Sequence, residues 1–135
     1  MKIIEYDSKY DENIKELLVE LENYIISIDK DELDKLSENY KEEYFKSLLK
    51  NIKRKNGKIY LAIKEERAVG VIAGVVAKYS KEDSLDYKCP KKGIIEELVV
   101  NKNYQKYGIG QQLLKTMEEY LKNINCEYVY LDVLA

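Results

Sequence analysis

The sequence predicts one mixed α/β domain of the α+β type, with elements in the order β-α-α-β-β-β-α-β. Three observations carry that reading. Two stripes of apolar residues at helical spacing come early, β-rich runs fill the middle, and a strand–helix–strand unit closes the chain. A length of 135 residues suits a single domain, 1–135, with one real core.

Lys2 to Tyr6 opens as a short strand. Ile14, Leu17, Leu18, Leu21, Tyr24, Ile25 and Ile28 then recur at helical spacing, with Asp11 or Ser8 as candidate cap. A second stripe, Tyr44, Phe45, Leu48, Leu49 and Ile52, ends at Asn56-Gly57, a common way to stop a helix. KIYLAI and AVGVIAGVVA are β-rich and separated by Lys64-Glu65-Glu66-Arg67, which predicts an antiparallel hairpin. The polar stretch KYSKEDSLDYKCPKK follows as a long loop. GIIEELVV is the next strand, QQLLKTMEEYLKN the last helix and YVYLDVL the last strand. Strands Ile94–Val100 and Tyr128–Val133 should be parallel neighbours joined by a right-handed crossover.

Composition narrows the chemistry. With 36% charged and 45% hydrophobic residues the chain reads as soluble and globular, and its longest uncharged run, Ala68 to Ala77, is far too short to span a bilayer. The opening MKIIEYDSKYDEN turns charged too early for a signal peptide, so a cytoplasmic protein is the default expectation. A net charge of -2, spread along the chain, argues against nucleic acid and against a membrane surface as partners. The sequence has no histidine and two cysteines, Cys89 and Cys126, without metal-like spacing. Ser-His-Asp and Cys-His catalysis are excluded, and no metal is expected. Cys126 reads as a small core residue. Acid–base work falls to Glu, Asp, Lys, Tyr, Cys or the backbone.

The most informative stretch is NYQKYGIG, Asn103 to Gly110, which sets Gly108 and Gly110 where a strand ends and a helix is about to begin. Helix-start amides lack intrahelical partners, and glycine lets an anionic group approach the backbone. The same glycines would also permit a tight turn and close helix packing, and spacing alone does not separate the two. A Walker A loop is absent, and a dinucleotide fingerprint would need a third glycine where Leu113 stands.

Residues Val100 to Leu114, with Gln105, Gly108 and Gly110 in the pattern [RQ]-x-x-G-x-[GA], resemble the acetyl-CoA motif of the GCN5-related N-acetyltransferases (GNAT). Leu98-Val99-Val100 before it and Leu113-Leu114 after it match the flanking pattern, and the element order matches over the whole chain. The resemblance implies a GNAT-like mixed central sheet. It also implies transfer of acetyl from acetyl-CoA to a primary amine: a small-molecule amine, a polyamine, or a lysine or N-terminal amine. Backbone N–H groups across Gln105, Lys106, Tyr107, Gly108, Ile109, Gly110 and Gln111 would hold the pyrophosphate, with Lys106 adding charge. The strand segment Leu98, Val99 and Val100 would pair with pantetheine, and an amide there would polarise the thioester carbonyl.

Glu96 and Glu97 interrupt an apolar strand, and period-two alternation puts them on opposite faces. Either one faces a cleft or both are simply solvated. Polyamine acetyltransferases of the resembled family use the first acidic residue here to contact the amine, which carries the role of base to Glu96. Asp132, on the final strand, is the second catalytic candidate, where some relatives place a carboxylate. The thirteen tyrosines read mostly as residues that bury a ring and keep the hydroxyl wet. Compared with the family pattern, the chain stops before a usual last helix, with its general-acid tyrosine, and two strands. The expectation that follows is an exposed strand edge, covered in a homodimer. The alternative function is a non-catalytic CoA-binding or protein-interaction module on the same fold.

Overall fold

A computed structural model describes residues 1–28, 40–78 and 90–131, with backbone alone for 22–28 and 40. Cys89, Asp132 and most of the polar stretch between Lys78 and Lys92 lie outside the described residues. Strands β1 (Lys2–Glu5), β2 (Lys58–Lys64), β3 (Arg67–Val76), β4 (Lys92–Val100) and β5 (Tyr128–Leu131) form one sheet in sequential order. The first three pairings are antiparallel, whereas β4 and β5 run parallel, with Ile95 opposite Leu131. Helices α1 (Asp11–Ile28) and α2 (Tyr40–Arg54) cover one face, and α3 (Ile109–Asn123) covers the other.

Each helix docks through the stripe its sequence shows. Ile14, Leu17 and Leu18 of α1 and Phe45 and Leu48 of α2 bury against Leu61, Val71 and Val99. On the opposite face Ile109, Leu113, Met117 and Leu121 of α3 bury against Ala62, Ile72 and Ile95. The sheet clears a path for α3 by omitting side chains. A Cβ on Gly74 would stand 2.8 Å from Met117 Sδ, and one on Gly93 would stand 2.6 Å from Leu121 Cδ1. Strand β3 is buried along nine of its ten residues because both its faces are covered.

Three element ends show specific local chemistry. Asp7 caps the 3-10 turn Ser8–Tyr10 that leads into α1, and its carboxylate accepts from the Lys9 amide. After α2 it is Asn56 that turns left-handed, φ 50°, while the Gly57 amide donates back to the Ile52 carbonyl at 2.9 Å. Gly57 is needed for a different reason, since its Cβ would meet the Gly74 carbonyl oxygen at 2.4 Å. The β2–β3 hairpin turns on Glu65 and Glu66, both at positive φ, a conformation that Asn-Gly more often supplies. Cys126 is half-buried against the α3 core, and burial pushes its thiol pKa up. Strand β5 lies at the sheet edge with Tyr128, Val129, Tyr130 and Leu131 all exposed. Among the described residues no helix is long and apolar enough to cross a membrane, and no group of three His, Cys, Asp or Glu is placed to hold a metal.

Candidate active site

Strand β4 carries an irregularity that decides where its carboxylates point. Against β3, Glu97 pairs with Ala73 and Ile95 with Gly74, which leaves Glu96 without an opposite residue. An extra residue of this kind is a β-bulge, and it breaks the two-residue alternation. The effect is visible on either side. Ile95 packs into the α3 core while Val99, four residues on, packs into the α1/α2 core.

The expectation that Glu96 and Glu97 lie on opposite faces is therefore corrected: both lie on the α1/α2 face. Glu97 stands beside Ala73, a member of that core, and is 7% exposed. Glu96 is half-buried, and its Oε2 accepts a hydrogen bond of 2.9 Å from Asn51 Nδ2 of α2. It forms one wall of a pocket of about 340 Å³ whose other described walls are Tyr44, Ser47, Leu48, Lys50, Asn51 and Arg54.

Among the described residues the strand continues from the bulge without a β5 partner. The Asn101 amide donates to the Val69 carbonyl at 2.8 Å, so the backbone groups of Asn101 and Val99 point toward β3. By alternation those of Leu98 and Val100 point the other way, past Ile95, where the described β4–β5 pairing ends. The Gln105 side chain donates from Nε2 to the Val100 carbonyl at 3.1 Å. Leu98 and Val100 thus offer main-chain groups at this edge. Val99 does not: its backbone faces β3 and its side chain is buried, so packing is what it contributes.

Beyond the strand, Lys102–Tyr107 forms a 3-10 turn that ends at Gly108. Gly108 takes φ 71°, ψ 17°, the left-handed region where a side chain is strained. From there α3 starts with no side-chain cap, and its first amides, Ile109 to Gln111, have no intrahelical acceptor. A Cβ on Gly108 would meet no atom within 4 Å, and one on Gly110 would sit 3.7 Å from Val100 Cγ2. Neither glycine is there to relieve packing. The turn is an open, uncapped helix start with the positive end of the dipole exposed, a fitting cradle for a diphosphate. Lys106 and Gln111 are exposed beside it, and Ile109 anchors it with a side chain 1% exposed. Tyr107 is exposed too, with Lys64 Nζ 4.6 Å from its ring centroid.

Residues 24–135 match the family model of the acetyltransferase (GNAT) family, and the chain belongs to that family. It is an acetyl-CoA-dependent acetyltransferase. Solved structures share the fold. An acetyltransferase from Vibrio fischeri aligns over 98% of this chain and 96% of its own, with TM-score 0.72 and 19% identity. The aminoglycoside antibiotic 6'-N-acetyltransferase of Acinetobacter haemolyticus aligns over 98% and 79%, with TM-score 0.70 and 16% identity. An aminoglycoside N-acetyltransferase in complex with CoA aligns over 98% and 76%, with TM-score 0.68 and 13% identity. No curated relative matches the sequence.

Sequence reasoning did not find Asn51, Ser47 and Arg54. They sit on α2 beside its apolar stripe, where polar residues ordinarily face water. The one available signal was that Asn51 is three residues beyond Leu48, close to the line of the buried face.

Proposed function

We propose that this acetyltransferase moves acetyl directly from acetyl-CoA to a primary amine, with Glu96 as the base. The observation that carries the reading is the bulge in β4, which brings Glu96 out of the ladder and into the α2 pocket, where Asn51 holds it. Acetyl-CoA, when bound, supplies an acetyl group activated as a thioester. The acceptor is less ready, because an alkylamine with a pKa near about 10.4 is almost wholly protonated at neutral pH. Glu96 takes that proton, directly or through one water, and frees the nitrogen lone pair to attack the thioester carbonyl. The C–N bond would form as the C–S bond breaks, and CoA would leave as its thiol with the second nitrogen proton. Asn51 fixes the carboxylate rotamer, so Glu96 presents its remaining lone pairs to the pocket.

The amides of Ile109, Gly110 and Gln111 would bind the pyrophosphate, and the outward main-chain groups of Leu98 and Val100 would align the pantetheine arm. The proton acceptor then lies on the α1/α2 side of β4, while the helix that holds the diphosphate lies on the α3 side. Acceptor and donor therefore approach from opposite faces of the sheet. Asp132 is the second carboxylate proposed for the site.

Glu96→Gln keeps the bond to Asn51 sterically possible and removes the base. The expected result is a fall of about 10²-fold or more in kcat, with acetyl-CoA affinity unchanged in calorimetry. Unchanged turnover would remove Glu96 as base. Acetyl-CoA binding with no turnover of any amine by the wild type would favour the non-catalytic module instead.

A further inference from the structure

The pocket beside Glu96 contains charge that capture of an amine does not require. Lys50 and Arg54 both line it, and Glu96 is the only acidic residue among its described walls. Neither cation forms an ion pair with any described residue. Cations in the last turn of a helix complement its dipole, which accounts for Lys53 and Arg54 as a class. It does not account for Lys50, which precedes that turn, nor for the way the cations divide. Lys53 lines a separate apolar hollow with Tyr6 and Ile59, Lys50 borders both that hollow and the Glu96 pocket, and Arg54 lines the Glu96 pocket.

A pocket built for a polycation would surround its amine-binding carboxylate with further carboxylates, since like charges nearby cost affinity. This one sets two cations beside it. Asn51, which marks the position of Glu96, and Arg54 are three residues apart on α2, about 4.5 Å along the helix axis. Building on the assignment of Glu96 as the amine-side base, we propose that the acceptor is a small zwitterion: a primary amine with a carboxylate or phosphate about one helical turn away. The amine docks at Glu96, and the anion docks on Arg54 and Lys50. Ser47, on the same wall, supplies a hydroxyl for a neutral acceptor atom. Arg54 is the better anchor of the two cations, because its planar fork matches both carboxylate and phosphate oxygens.

The test is a panel of matched amines assayed by release of free CoA thiol. β-Alanine against propylamine reads the carboxylate, ethanolamine phosphate against ethanolamine reads the phosphate, and spermidine reads the polycation. The expected result is a preference of about tenfold or more in kcat/KM for at least one anionic member over its partner. Arg54→Gln should abolish that preference by raising KM for the anionic members. Equilibrium binding of the same compounds, followed by calorimetry on wild type and Arg54→Gln, should show the same pattern without turnover. Spermidine as the best acceptor, no anion preference in the wild type, or an anion preference that survives Arg54→Gln would overturn the proposal. Glu96→Gln separates this failure from that of the underlying reading: if it acetylates propylamine as fast as wild type, it is the base assignment that falls.

Discussion

The two ends of α3 meet glycines for opposite reasons. Along its length the helix lies on Gly74 and Gly93, where an added Cβ would press into Met117 and Leu121. At its N-terminus Gly108 faces open space, and a Cβ on Gly110 would reach only an ordinary contact with Val100 Cγ2 at 3.7 Å. The first pair are packing residues, removed from the sheet so that the helix can come close. The second pair shape a surface that nothing in the described chain fills. A glycine inside a packed interface reports on its neighbours, whereas Gly108 reports on the backbone, whose positive φ at an uncapped helix start leaves the turn open. The same contrast runs across the sheet. The buried α3 core is wholly apolar, while the α1/α2 face holds Glu97, the Glu96–Asn51 pair and the Tyr6–Asp11 pair.

The largest expected break of this comparison in stability comes from the packed glycines. Gly93→Val must displace Leu121 from a position with no exposure, and overpacking of this kind costs about 1–3 kcal/mol. Chemical denaturation should show that loss, with acetyl-CoA affinity of the folded protein retained. Unchanged stability would mean that α3 has slack over the sheet.

A middle-sized effect belongs to the α1/α2 face. The Tyr6 hydroxyl donates to Asp11 Oδ1 at 2.5 Å. Burial first, and then that bond to a carboxylate, push its pKa up to about 12 from 10.0. The native state therefore keeps a proton that the unfolded state gives up. Tyr6 contributes its full stability below pH 10 and loses it as pH rises from 10 to about 12. Tyr6→Phe should flatten the alkaline limb of a stability–pH curve in that window; an identical limb in both proteins would contradict the assignment.

The smallest effect sharpens the open end of the comparison. Gly110 lies within the first turn of α3, and the nearest atom to an added Cβ is Val100 Cγ2 at 3.7 Å. Gly110→Ala should gain up to about 1 kcal/mol from reduced unfolded-state entropy. It should leave acetyl-CoA binding close to wild type, since the Cβ displaces nothing. A large loss of affinity would mean that the cofactor lies against that Cα.

Most of the fold was legible because periodicity survives burial. The stripes from Ile14 and from Tyr44, the Ile94–Val100 and Tyr128 strands and the helix between them all follow from spacing alone. The glycine turn was legible as a motif, although only the structure shows that Gly108 and Gly110 are free of packing. The orientation of Glu96 was not legible. Alternation assumes an unbroken ladder, and the bulge depends on how β4 registers against β3, a non-local fit that the strand's own sequence does not encode. Asn51 and Arg54 were missed for a related reason. Their role depends on which flank of α2 faces the bulge, and a polar residue beside an apolar stripe looks the same whether it meets water or a substrate.

The account rests on the turn at Gly108 as the place where acetyl-CoA is held. The direct measurement is calorimetric titration of acetyl-CoA into the wild type and Gly108→Val, with thermal melts of both as the control for folding. Saturable one-site binding by the wild type, lost in a valine variant that still melts cooperatively, is the predicted result. Equal binding by both proteins, or none by the wild type, would contradict it.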